Sequence, residues 1–419
     1  MSETLTFLKQ KFSEYYRENT ENIHAPKSLE KREFGFFVFK ENIMVRHKSF
    51  MSEHKLKDFL AASTPSDIYY SSAYYETPEA PMSKKRVLGA DLIFDIDSDH
   101  LARKCKNEHD YWTCRSCKNA TIGKHPAFCP RCNGDSFKKE TWLCEICLES
   151  AKAETIKLVE FLTSDFSFPQ EDIKLCFSGQ RGYHVSVDKD DIKQLDQAAR
   201  KEIVDYISGT GLRIEQYGWR TMGHGKSREL IGPDLSDPNW YGRIARGVFG
   251  LISSSSVKEL EQLGIRKSKA EIIVKNKDFM LKNWNRKTNW RTIKNIDEKT
   301  FEKIIQHVIK NNRVTAVIDT VVTTDMHRLI RLPCSLHGKT GLMATEIEVN
   351  NLENFDPFMD AIAFKRGKIE CYIKEAHQFR IEDKDFGPYT RENVMLPMAA
   401  AVFLMCKNLA KPKGNITLE

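Results

Sequence analysis

Asp95 and Asp97 stand two residues apart in Val87–His100, which reads VLGADLIFDIDSDH. Leu92, Phe94 and Ile96 alternate there with Asp91, Ile93, Asp95 and Asp97. A period of two marks a strand with one buried face, so the two carboxylates project from the same side at its end. Carboxylates that close repel and raise each other's pKa. A cation between them relieves the repulsion, and hard oxygen ligands suit Mg²⁺ or Mn²⁺. On these residues alone, a solvated strand end and a metal site are both open.

A second kind of chemistry is denser still. Cys114/Cys117, Cys129/Cys132 and Cys144/Cys147 are three Cys-x-x-Cys pairs, with Cys105, His109 and His125 among them. Two thiolates at that spacing span two corners of a zinc tetrahedron, and two pairs close it. Cys114, Cys117, Cys129 and Cys132 have the spacing of a zinc ribbon. Cys105, His109, Cys144 and Cys147 can close a second, Cys₃His site at its base. Four protein ligands leave no open position, so both Zn²⁺ sites are expected to be structural. A segment this small is expected to need metal to fold.

Phosphate-binding candidates are more scattered. Ser178-Gly179-Gln180-Arg181-Gly182 joins two apolar runs within Ile173–Val187, and Ser178, Arg181 and His184 can donate to phosphate oxygens. Glycines there let a ligand come close to the backbone, although Gly-rich hairpins are common. Asp319 follows a β-prone run, and Arg328, Arg331, His337 and Lys339 come after it. A carboxylate followed by cations suits a metal–triphosphate site without requiring one. Gly338-Lys339-Thr340 is not a P-loop, because Pro333 stands where that motif needs glycine. Arg46, in the second strand of a hairpin over Arg32–Phe50 with its turn at Lys40-Glu41-Asn42, is a surface residue or a phosphate contact.

The elements that must position these groups are legible in outline. Leu5, Leu8, Phe12 and Tyr16 have helical spacing, and a helix resumes over Ala151–Phe161. Residues from about 196 to 312 are polar, basic and mainly helical. There Lys275, Lys277, Lys282, Arg286, Lys287, Arg291 and Lys294 run past Trp284 and Trp290. That pattern fits a solvated helical surface better than a single-strand-binding track. The tail carries a strand pair, near Ile347 and Lys368–Ile373, and an apolar run Val394–Cys406 broken by Pro397.

Composition narrows the class. At 419 residues, two or three folding units are expected. Lys plus Arg number 65 against 58 Asp plus Glu, a net charge of +7 that is compatible with a polyanionic partner. The N-terminal stretch lacks the apolar core of a secretory signal, and no run of 18 apolar residues can span a membrane. Eleven cysteines then read as reduced thiols and metal ligands rather than disulfides.

In combination and in this order, REFGF, YYSSAYYE, DLIFDID, SGQRGYH and RLIRLPCSLHGKTG resemble the catalytic (small) subunit of the archaeal and eukaryotic type of DNA primase, closer to the archaeal branch. The likeness runs from about Arg32 to Thr345 and more weakly to the C-terminus. It implies an α/β (mixed α+β) fold, a catalytic core of mixed sheets flanked by helices with a zinc-binding module and a helical insertion subdomain. The expected boundaries are core at 1–104, zinc module at 105–147, core at 148–195, helical insertion at 196–312, and core with a C-terminal helix at 313–419.

The resemblance also assigns roles. Asp95, Asp97 and Asp319 match the acids that bind the catalytic Mg²⁺ or Mn²⁺, with Asp319 preferred to Asp325 because it lies ten residues before the Leu-Ile of RLIR. Ser178, Arg181 and His184 match the motif holding the incoming triphosphate. Arg46, Arg331, His337 and Lys339 match further positions lining the nucleotide site. The zinc module departs from the simplest archaeal pattern, since residues about 110–141 look inserted. The implied activity is template-dependent synthesis of short RNA, and possibly DNA, primers from NTPs on single-stranded DNA, with a large subunit as heterodimer partner. Expected placement is cytoplasmic for a prokaryotic source and nuclear otherwise. A primase-polymerase or repair polymerase of the same superfamily, or a non-catalytic zinc-ribbon nucleic-acid-binding protein, are the alternatives.

Overall fold

The computed structural model describes residues 3–39, 43–213, 220–222, 229–284, 296–311 and 314–414, and in it Val87–His100 is two strands, not one. Val87–Ala90 pairs with Ala73–Tyr75, whereas Leu92–Asp97 belongs to a different sheet. The chain changes sheets at Asp91, and two buried arginines hold the change. The Arg200 guanidinium donates to the Ala90 and Asp91 carbonyls at 2.7 and 2.8 Å. Arg32 donates to the Asp91 carboxylate at 2.7 Å and stacks on Tyr74, whose hydroxyl donates to the other Asp91 oxygen. Carbonyls leaving a ladder need such donors when buried.

The fold is mixed α/β, several small sheets flanked by helices, and the described chain separates into two compact units. The first comprises Met1–Ile156, Gln170–Lys201 and Ile318–Glu419. It contains two four-stranded antiparallel sheets. One runs Leu329–Arg331, Asp67–Ser71, Phe34–Phe37, Met44–Lys48. The other runs Thr345–Ile347, Ile173–Phe177, Gly182–Val187, Leu92–Asp97. Its strands are rich in Ile, Val, Leu and Phe because they are buried on more than one face. Ile93 is buried along with Leu92, Phe94 and Ile96, so strict alternation holds only at the acidic end.

The tail differs from expectation. Thr345–Ile347 pairs with Ile173–Phe177, while Lys368–Ala376 pairs with Tyr389–Pro397 and Ala410–Pro412, so the two segments read as a pair are in different sheets. Pro397 does not break a helix but ends that strand and caps the helix Met398–Cys406, which is buried throughout most of its length.

Within residues 105–147, a short helix Lys106–His109 precedes a three-stranded sheet ordered Ala120–Ile122, Tyr111–Cys114, Phe137–Glu140. Its core is small, Trp112 with Cys114, Cys129, Cys117 and Phe137. The helix Glu145–Glu160 follows.

The second unit, Lys157–Pro169 with Glu202–Val317, is mainly helical. Asn239–Ser254 packs on Lys267–Lys282 and Glu298–Lys310, with Val248, Ile304 and Val308 buried, while Trp240 packs on Phe161 and Tyr206. Arg243 forks onto Asp165. Lys275 and Lys282 are exposed and Trp284 packs edge-on against Phe249, as a solvated helical surface would have them. Arg286, Lys287, Trp290, Arg291, Lys294 and the turn Lys40-Glu41-Asn42 lie outside the described residues. Among those residues no helix is long and apolar enough to cross a membrane.

Gly182 stands opposite Asp97 in the ladder, and a Cβ there would lie 2.2 Å from the Ile96 carbonyl oxygen. Gly182→Ala must therefore push two backbones apart. It is expected to cost about 1–3 kcal/mol in urea unfolding, far more than an exposed Gly-to-Ala change; an unchanged midpoint would contradict this close packing.

Candidate active site and metal centres

Asp95 and Asp97 leave the same side of Leu92–Asp97, with His184 directly across from Asp95. Asp319 is not on a neighbouring strand. The run Ala316–Ile318 forms no strand, and the Asp319 N–H donates instead to the Asp95 carbonyl at 2.8 Å. The Asp319 carboxylate caps the short helix Thr320–Thr324, its Oδ1 accepting from the Val321 and Val322 N–H groups at 2.9 and 3.4 Å. One oxygen therefore fixes the side chain and the other is left for a ligand. Asp97 is fixed in the same way, by the Asp99 N–H at 2.8 Å.

The electrostatics are unfavourable to ionised acids. Burial, then Asp319, pushes the Asp95 carboxyl up to about 6. Burial also raises Asp97, opposed by Arg181 and the Asp99 N–H. His184 Nε2 lies 3.5 Å from Asp95 Oδ1 but does not neutralise it. Burial and the nearby Arg331 hold the imidazole at about 4, so it is uncharged at neutral pH. Surplus negative charge on an all-oxygen donor set fits Mg²⁺ or Mn²⁺. The three carboxylates adjoin loosely, because among the described residues only two cysteine sets bring their ligand atoms within 4.8 Å of one another.

The cations arrive from two loops and the other four-stranded sheet. Ser178 Oγ accepts from the Gln180 and Gly182 N–H groups and shapes the turn. Gly179, at φ +79°, lies so close to the 337–342 loop that a Cβ would meet His337 Cβ at 3.0 Å, and Thr340 Oγ1 donates to its carbonyl. Arg181 forks onto both oxygens of Asp99. Arg331 is buried, donating to Asp67 at 2.9 Å and to the Tyr69 hydroxyl at 2.7 Å. Although burial opposes it, Arg331, with the Ser66 hydroxyl and the Gly338 N–H, holds Asp67 down to about 2. His337 is itself pushed well below its ordinary value by burial and Arg331. A cleft of roughly 1160 Å³ takes in Asp97, Asp99, Gln180, Arg181 and Lys339.

Arg46 is not drawn into this cleft. It pairs with both oxygens of Glu33, a buried carboxylate also held by Lys85 at 2.7 Å. Sequence reasoning missed Asp67, Asp99 and Glu33. Asp99 had a signal, being the next same-side position after Asp97; Asp67 had none, because its partner Arg331 is 264 residues away.

Both cysteine sets form as the spacing predicts. Cys105, His109, Cys144 and Cys147 converge, and so do Cys114, Cys117, Cys129 and Cys132. The Cys105–Cys147, Cys114–Cys132 and Cys117–Cys129 sulfur pairs are 3.6, 3.5 and 3.6 Å apart, and His109 Nε2 is 3.6 Å from Cys147 Sγ. A zinc–sulfur bond of about 2.3 Å gives a tetrahedral edge of about 3.8 Å, so either set fits the ion. His109 Nδ1 bonds Asp110 at 2.8 Å, which turns Nε2 toward the sulfurs.

A family model described as DNA primase small subunit matches residues 132–349, just over half of the chain. The chain belongs to the DNA primase small subunit family. The DNA primase small subunit PriS of Nitrosopumilus maritimus (strain SCM1) is 34% identical over 413 residues, covering 98% of this chain and 99% of that protein. Those of Methanococcoides burtonii and Archaeoglobus fulgidus are 33% and 36% identical, covering 97% and 96% of this chain and 98% and 97% of their own. These homologues support a primase catalytic subunit. The span matched by the family model holds the Ser178–Gly182 turn, Asp319 and Lys339, and begins after the paired acids.

Two outcomes follow from this geometry. Metal analysis should find two zinc ions per chain, and Asp110→Asn should weaken only the Cys₃His site, by about 10–100-fold in chelator competition. The second concerns Asp95. The folded chain keeps its proton up to about pH 6, whereas the unfolded chain releases it near the ordinary 3.8. Stability from this group thus falls as pH rises from 4 to 6 and stays lower above. In buffer without added divalent cation, Asp95→Asn should raise the unfolding free energy by about 1–3 kcal/mol at pH 8, the gain shrinking toward pH 4. A destabilised variant at pH 8 would contradict a carboxyl raised by burial and Asp319.

Proposed function

We propose that this chain is the catalytic subunit of a DNA primase, joining NTPs into short primers on a single-stranded DNA template with release of pyrophosphate. The observation that carries the reading is the 2.8 Å bond from the Asp319 N–H to the Asp95 carbonyl, which ties the third acid to the paired two. Asp95, Asp97 and Asp319 would hold the divalent ions. Such ions, when bound, supply Lewis-acid activation of a 3′-hydroxyl and charge relief at departing pyrophosphate.

The rest falls to the protein's own groups. Ser178 and Arg181 receive triphosphate oxygens at the turn, and Arg181 exchanges Asp99 for phosphate when it does so. Neutral His184 stays beside Asp95 as a hydrogen-bonding group without adding positive charge. Lys339 lines the cleft, free of any ion pair among the described residues. Arg331 and His337, locked on Asp67, back the site from the neighbouring sheet. The family name supports a large-subunit partner, and the primase reading a heterodimer with it.

The test is template-dependent incorporation by the purified chain with Mg²⁺ or Mn²⁺, comparing ribo- and deoxynucleotides. Asp95→Asn and Asp97→Asn should each lower synthesis at least about 1000-fold while circular dichroism shows an unchanged fold. An active Asp95→Asn enzyme would overturn the assignment. Dinucleotide formation without any primer separates a primase from a polymerase that only extends ends.

A further inference from the structure

Lys407 follows the last turn of the helix Met398–Cys406. Its ammonium does not turn back to that helix's carbonyls. It reaches the Thr141 carbonyl oxygen at 3.1 Å, at the edge of the zinc module. That is its one hydrogen bond among the described residues, and it has no ion pair there. An ammonium carries three donors, and although the Phe403 ring lies 5.9 Å away, two of them have no acceptor among the described residues.

The surroundings are the wrong ones for a structural lysine. Lys407 lines the same cleft as Asp97, Arg181 and Lys339. Burial, Arg181 and Lys339 push it down to about 8. Glu140 is near enough to oppose this but already accepts from Lys138 and Tyr111. Arg181, Lys339 and Lys407 come from three separate elements: the turn after Ile173–Phe177, the 337–341 loop and the end of the tail helix. Cations gathered in this way cost folding energy unless an anion answers them, and strongly perturbed groups in a cleft mark binding sites.

We propose that Lys407 is a third cation of the triphosphate site, binding the terminal phosphates of the nucleotide whose inner phosphate lies toward Asp97. The proposal rests on the nucleotidyl-transfer reading for its ligand, but the anion site itself does not. A triphosphate is a compact polyanion, and the cleft, at roughly 1160 Å³, has room for a nucleotide with space to spare. The Thr141 contact gives Lys407 a second consequence: the zinc module, through one carbonyl, sets where this charge points.

The probe is inorganic tripolyphosphate, titrated calorimetrically into the full chain with its zinc retained. Lys407→Gln keeps a donor for the Thr141 carbonyl and drops the charge, Lys407→Met drops both, and Lys407→Arg keeps the charge. Gln and Met variants should bind tripolyphosphate at least about tenfold more weakly, with zinc content and thermal midpoint near wild type. The Arg variant should retain most of the affinity, and sulfate should bind far more weakly throughout. A folded Gln variant with wild-type affinity overturns the proposal, as does sulfate binding as tightly as tripolyphosphate. In primer synthesis the same variants should raise KM for NTP more than they lower kcat. Weakened tripolyphosphate binding in a chain whose wild type makes no primers would sink the primase reading and leave Lys407 in its role. Normal synthesis with unaltered binding in Lys407→Gln would do the reverse.

Discussion

Like charge held together in a partly buried place is the constraint on which the rest of this structure depends. Burial raises the cost of ionising Asp95 and Asp97, and the charge of Asp319 adds to it at Asp95. Backbone geometry has to absorb that. The ladder between Leu92–Asp97 and Gly182–Val187 supplies the first restraint, and it closes up because residue 182 has no side chain. The Asp319 N–H on the Asp95 carbonyl supplies the second. Upstream, Arg32 and Arg200 pin Asp91, so the acidic strand cannot slide in register to relieve the repulsion. A one-residue slip would turn both acids to the other face.

The positive side is built on a different plan. Two of its arginines are answered by a carboxylate of their own, Arg331 by Asp67 and Arg181 by Asp99, and outside the cleft Arg46 is answered by Glu33 in the same way. Such pairs hold guanidinium groups in fixed orientation and keep net charge low, which is preorganisation rather than attraction. Lys339 and Lys407 have no such partner among the described residues, and the same holds for other cations lining the cleft, Lys106 among them. The division separates groups that shape the wall from groups that face a ligand, and a sequence does not display it.

What could be read from sequence was whatever depends on short spacing. The same-side placement of Asp95 and Asp97 follows from a period of two, and both cysteine sets follow from the Cys-x-x-Cys pairs. The Ser178–Gly182 turn was visible as two apolar runs with glycines between them. What escaped reading depends on contacts between distant segments. Ala316-Val317-Ile318 before Asp319 is β-prone, yet it forms no strand; the Asp319 backbone bonds Asp95 at one point and the residue caps a helix. The sheet change at Asp91 is imposed by Arg32 and Arg200, 59 and 109 residues away along the chain. Pro397 reads as an interruption of one apolar run, but it is the junction of a paired strand and a buried helix.

The neck of the cysteine-rich segment carries one more consequence. Tyr111 pairs with Glu140 and Trp112 with Lys139, so the chain leaves and returns side by side. Below that pairing, Cys105 and His109 on the outgoing segment meet Cys144 and Cys147 on the returning one. A loop pinched off at its root is mechanically insulated. The insulation ends at Gly123, whose N–H donates to the Asp110 carbonyl at 2.7 Å; beyond it the tip can be lengthened or trimmed over evolutionary time with no change in the spacing of the two ends.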